Sequence, residues 1–131
     1  MMKFKNVYTS ALRLINERIG SCADTDFASR APSIASAIVS EAEEIDRDYR
    51  TAHGLPEASY PAGTEIPLDD PFPLCDRFAP AAAYFMAAML ILDEDDAEYE
   101  RFYDLWCDAI GSIAASIPAV SAPTREMYPV R

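Results

Sequence analysis

Residues 78–92 read Phe-Ala-Pro-Ala-Ala-Ala-Tyr-Phe-Met-Ala-Ala-Met-Leu-Ile-Leu, fifteen positions without a single charge. Phe78, Ala82, Phe85, Met89 and Leu92 form one helical stripe, but Ala81, Tyr84, Ala88 and Ile91 leave almost no polar face. A helix that is apolar nearly all round belongs at the centre of its domain or under a partner. The run is short of the about 20 residues that a membrane span needs, and Pro80 interrupts it. Its apolar surface exceeds what a small monomer needs to hide, and this surplus favours a protein that assembles. Asp76 is placed to cap the helix, which the sequence predicts over about 76–93, with Pro80 in its early turns.

Downstream, six acids crowd into eight residues: Asp93, Glu94, Asp95, Asp96, Glu98 and Glu100. A calcium loop of the EF-hand type beginning at Asp93 would require glycine at its sixth position, where Glu98 stands, and Ala97 occupies the fifth. The acids instead suit the first turn of a helix over 96–117, where they favour the macrodipole and satisfy free amides. Tyr99, Phe102, Tyr103, Trp106, Ile110, Ile113 and Ile117 line one face of it, a spacing that core packing explains. Pro118 stops this helix, and the tail 118–131, with Pro123 and Pro129, reads as extended.

Upstream, Phe4, Val7, Tyr8, Ala11, Leu12, Ile15 and Ile19 recur at spacings of three and four, predicting a helix over 4–20 that Gly20-Ser21 ends. Asp24-Thr25-Asp26 offers caps for a second helix over 26–53. Pro32 leaves two readings open: a short turn at 25–31 before the main helix, or one kinked helix from near Asp26. Ile34, Ile38, Ile45, Tyr49 and Ala52 form its stripe, and Glu41, Glu43, Glu44, Asp46, Arg47, Asp48 and Arg50 read as a solvated face with (i, i+4) pairs Glu43–Arg47 and Asp46–Arg50. Gly54 and Pro56 end it. Pro56, Pro61, Pro67, Pro71 and Pro73 then exclude a helix from residues 54–75. A connection this long is usually functional, and Tyr60, Ile66, Leu68, Phe72 and Leu74 argue that it docks on something. The expected fold is therefore all-α: one four-helix, bundle-like domain across residues 1–131, with a proline-rich arm between the second and third helices and an extended C-terminal tail.

Composition narrows the functions. Twenty-two acids against eleven bases give a net charge of −11, which opposes binding to nucleic acid or to an anionic membrane. Cys22, Cys75 and Cys107 are odd in number and far apart, and His53 is the lone histidine, so no zinc site of the Cys/His type is expected. Reduced thiols in a cytosolic chain are the plainer reading. Met1–Asn6 has no apolar segment behind it, and no signal peptide is expected. Glu41, Glu44 and Asp48 share a helix side, but a di-iron site needs Glu-x-x-His pairs on facing helices. Neither a phosphate-binding glycine loop nor a nucleophile with an oriented base is present, so the expectation is a non-enzyme without cofactor or metal.

The order of segments resembles the small head–tail connector, or adaptor, proteins of tailed bacteriophages and prophages. The likeness rests on Val7-Tyr8-Thr9-Ser10-Ala11-Leu12-Arg13-Leu14-Ile15, on the acidic helix after Phe27-Ala28-Ser29-Arg30-Ala31-Pro32, on Phe72-Pro73-Leu74, and on the alanine-rich and final amphipathic helices. The resemblance implies a subunit of a homo-oligomeric ring, commonly a dodecamer, below the portal at the virion neck. It is made in the bacterial cytoplasm, contacts portal and tail or neck proteins, and surrounds DNA that passes without specific binding. Tyr60, Ile66, Leu68, Phe72, Leu74, Met127 and Tyr128 are its expected intersubunit contacts. The alternative is a cytosolic acidic interaction module or regulator, without catalysis, that meets a basic partner.

Overall fold

The computed structural model describes residues 1–19 and 25–118. It is mostly helical, with α1 (Phe4–Ile19), α2 (Thr25–Ala52), α3 (Ala79–Leu90) and α4 (Asp96–Ser116). A single 3-10 turn at Asp76–Phe78 precedes α3. Among the described residues there is no strand, only an isolated antiparallel bridge between Lys3 and Pro71.

α3 is the axis of the fold and packs against α1, α2 and α4. Ala81, Ala82, Ala83, Phe85, Met86, Ala87, Ala88 and Leu90 are all buried, and so is Ile91 just beyond. The alanines let three helix backbones approach this one closely, while Phe85 and Met86 fill the gaps. The expected apolar surplus on α3 is thus corrected: its own chain buries most of it and leaves Tyr84 and Met89 half-buried. What remains exposed is Pro80 at one end and Leu92, 40% exposed, at the other.

The ends of α3 also differ from expectation. Asp76 does not cap it, because 76–78 forms the 3-10 turn and α3 begins only at Ala79. Pro80 then falls in the first turn, where its missing N–H has no helical partner to lose. At the far end the Arg30 guanidinium donates to the carbonyls of Met89 (3.3 Å) and Leu90 (2.8 Å). Those carbonyls are among the helix's unpaired acceptors, and a cation there also suits the dipole. Residues 91–94 turn, and the Asp95 carboxylate accepts the Glu98 amide at 3.0 Å to start α4. α4 stops at Ser116; Ile117 is extended, as a residue before proline prefers.

Along the other helices the predicted stripes are inward. Phe4, Val7, Ala11 and Ile15 of α1 are buried, as are Phe102, Trp106 and Ile113 of α4. Phe85 meets Trp106 edge-on at 4.9 Å, which sets the antiparallel register of α3 and α4. Of the two readings at Pro32, one continuous α2 is observed with the proline inside it. α2 closes with a Schellman turn: Gly54 adopts φ 66°, Leu55 N–H reaches Arg50 O (2.8 Å) and Gly54 N–H reaches Thr51 O (3.4 Å).

Candidate functional site

Residues 53–75 lie against the helices of their own chain. Helix α1 begins with amides that have no intrahelical acceptor. The connection supplies two: Asp70 O takes Phe4 N–H at 3.1 Å and Leu68 O takes Lys5 N–H at 2.8 Å. Phe72 N–H returns to Met2 O at 2.9 Å, and the Phe4 and Phe72 rings meet edge-on at 5.1 Å. Farther along, Ile66 N–H donates to Pro32 O (3.0 Å) and the Ser36 hydroxyl to Gly63 O (2.8 Å), fixing the segment across α2.

This placement decides the candidate contacts. Of the expected intersubunit contacts, Ile66, Phe72 and Leu74 are buried in the chain's own core. Burying them satisfies much of their hydrophobic drive within one chain. Tyr60 and Leu68 are half-buried and pack on the same core. Met127 and Tyr128 lie outside the described residues, as does Cys22. The exposed apolar group of the connection is Leu55, 42% exposed, at its α2 end.

At the centre of the docked segment is a residue read in the sequence as a surface acid. Asp46 is 0% exposed. Its carboxylate accepts from the Tyr60 hydroxyl (2.5 Å), the Arg50 Nε (2.8 Å) and the Cys75 amide (2.8 Å). Arg50 also donates to Pro56 O and Pro73 O, both at 3.1 Å. One carboxylate and one guanidinium thus tie the first, middle and last parts of the connection to α2. Burial pushes the Asp46 carboxyl up, but the bonds from Tyr60, the Cys75 amide and Arg50 outweigh it and hold its pKa below the ordinary value. Burial, then the bond to Asp46 and its charge, raise the Tyr60 phenol to about 12. The same causes raise the Cys75 thiol to about 11. Near neutral pH the cluster is therefore one ion pair with a neutral phenol and a neutral thiol. A thiol in that state is a poor nucleophile, and the chemistry of the group is to hold.

The register contained the warning. Ala31, Ala35, Ile38, Ala42 and Asp46 follow one another at three and four along the buried face of α2. An acid on that stripe had to find partners, and Arg50 four residues on was the nearest. By contrast Glu43–Arg47 (3.5 Å) is the exposed pair the sequence led one to expect.

Two surface features remain. An open groove of about 450 Å³ runs between α1 and the start of α3. Val7 and Ala83 form its floor, Leu14 and Tyr84 its sides, and Arg13 and Glu17 its rim. Separately, burial raises the Tyr103 phenol of α4, and nearby Cys107, Tyr99 and, from α2, Glu41 add to the rise. Among the described residues no three His, Cys, Asp or Glu side chains converge so as to hold a metal, and no helix is long and apolar enough to cross a membrane. Comparison with protein-family models, with curated proteins and with solved structures gives no match.

Proposed function

We propose that this chain is a structural subunit of a phage or prophage head–tail connector ring, joining portal to tail at the virion neck. The observation that carries the proposal is the order of parts: a short first helix, a long acidic second, a long connection, an apolar axial helix and an amphipathic last one. That order is the one by which the sequence resembles the connector family. In finer terms the subunit is a four-helix, bundle-like domain with a proline-rich arm at 54–75 and an extended tail.

Two physical features fit the role. The Asp46 cluster with the Phe4–Phe72 contact fastens the connection to the helices, so each subunit would bring it to the ring already positioned. A channel for DNA must not adhere to phosphate, and a chain of net charge −11 repels it. The outer part of the connection around Leu55 and the turn after α3 at Leu92 offer apolar points for a neighbouring subunit or the portal.

The test is to mix the purified chain with its cognate portal protein and examine the sample by negative-stain microscopy. A closed ring seated on the portal is expected. Failure to form either ring or complex would count against the proposal. Salt-sensitive binding to a host protein, with no affinity for virion components, would favour the interaction-module alternative.

A further inference from the structure

We propose that the groove between α2 and α4, floored by α3, receives a basic amphipathic helix of a partner protein, one arginine of which sits between the Tyr103 ring and Glu41. The inference does not rest on assembly at a virion neck, since it concerns one face of one copy.

Three helices build the groove, and each contributes residues one turn apart. α2 gives the column Ser29, Ser33 and Ala37, all exposed. α3 gives Phe85 and Met89, and Ile34 of α2 completes the floor. On α4 the Tyr99 and Tyr103 rings stack at 5.8 Å, and Tyr103 adjoins the floor at Phe85, 6.4 Å between centroids. The open space is about 380 Å³, enough to take side chains of a partner. Small side chains along α2 let another backbone come close, and both walls are helices, so the shape suits a further helix laid along them.

The charge of the occupant follows from the rim. Arg30 is the cation among the described lining residues, and it is already engaged, with Asp26 at 3.1 Å and with the carbonyls of Met89 and Leu90. One turn past Ala37 the same α2 column reaches Glu41, which is exposed. It is near enough for its charge to act on the Tyr103 phenol, which burial chiefly raises. With Arg30 and Asp26 offsetting each other, Glu41 leaves this stretch negative in a chain of net charge −11. An anionic partner is repelled there.

A guanidinium pairs with a carboxylate and also lies well over an aromatic face, and Tyr103 beside Glu41 offers both. The chain makes the same arrangement within itself: Arg47 pairs with Glu43 at 3.5 Å and lies 5.2 Å over the Tyr60 ring. Leucine-sized side chains of the partner then cover Ile34, Phe85 and Met89. Met89 is half-buried, and a flexible thioether side chain adapts to what packs on it.

The test titrates the full chain, its methionines ¹³C-methyl labelled, with a blocked helical peptide of about 18 residues, leucine on one face and arginine on the other. Met89→Leu assigns the Met89 signal. Saturable binding is expected, moving the Met89 methyl while that of buried Met86 stays in place. Glu41→Arg is expected to weaken binding by about tenfold or more, and Ala37→Arg, an exposed groove position, to abolish it. Glu57→Arg, an exposed acid on the connection, is expected to change it by less than about twofold. A peptide that does not bind, or that binds without moving Met89, overturns the proposal. So does equal weakening by Glu41→Arg and Glu57→Arg, which would mean diffuse attraction to an acidic surface. A Met89 methyl that shifts when the chain alone is concentrated also overturns it, since the occupant is then a second copy.

Discussion

Replacing Asp46 with alanine removes a buried acceptor that three donors share. Hydrogen bonds to a charged group are worth about 1.5–3 kcal/mol each, but the three are not independent and the carboxylate's own desolvation offsets part of them. Stranding a buried partner completely costs about 3–5 kcal/mol. Arg50 is not stranded completely, because Pro56 O and Pro73 O still accept from it and its side chain is 17% exposed. The loss falls on the Cys75 amide and the Tyr60 hydroxyl, and the expected cost is about 2–4 kcal/mol. In urea unfolding followed by helical circular dichroism, that is a midpoint lower by roughly 1–2 M. Glu43→Ala is the control: its partner Arg47 is exposed, and the change is expected within about 0.5 kcal/mol. Asp46→Asn, which keeps one acceptor oxygen, falls between. The sign with pH follows from the depressed carboxyl: its contribution is present above the ordinary value of 3.8 and disappears as pH falls through the folded-state pKa. The gap between Asp46→Asn and the parent should therefore close in acid. If Asp46→Ala costs no more than Glu43→Ala, the cluster does not hold the connection and the reasoning fails.

Tyr60 and Cys75 predict an alkaline limb: with folded-state values raised to about 12 and about 11, the stability they confer is whole below 9 and is lost as pH climbs through those values. Tyr60→Phe and Cys75→Ser should flatten that limb in pH-dependent unfolding. Phe72→Ala removes the ring that meets Phe4 at 5.1 Å and is expected to cost about 3–5 kcal/mol by denaturant titration, with faster amide exchange at Phe4 and Lys5. Ala82→Leu forces a branched side chain into the fully buried side of α3, and a loss of about 1–3 kcal/mol is expected; a neutral result would mean α3 is less closely packed than its alanines indicate.

Much of this fold was legible because helical periodicity reports directly on burial. The stripes of α1 and α4 point inward as their spacings require, and Asp95 with its neighbouring acids starts α4. What could not be read was distance along the chain. Whether Phe72 covers Phe4 of its own subunit or of another depends on a closure spanning the whole first half of the sequence, and no local pattern records it. The apolar surplus of α3 failed for the same reason, since three helices and a turn converge on it. Asp46 was misread differently. Its (i, i+4) partner Arg50 matched an ordinary surface pair, while its place on the Ala35–Ile38–Ala42 stripe carried the decisive information.

The proposed role of this chain is to form the ring at the neck of a virion. Cryo-electron microscopy of purified particles that contain the chain tests it most directly. A closed ring is expected below the portal, each subunit showing a central α3 ringed by three helices, with acidic α2 and α4 flanks toward the DNA. A neck whose density holds no such subunit would contradict the account.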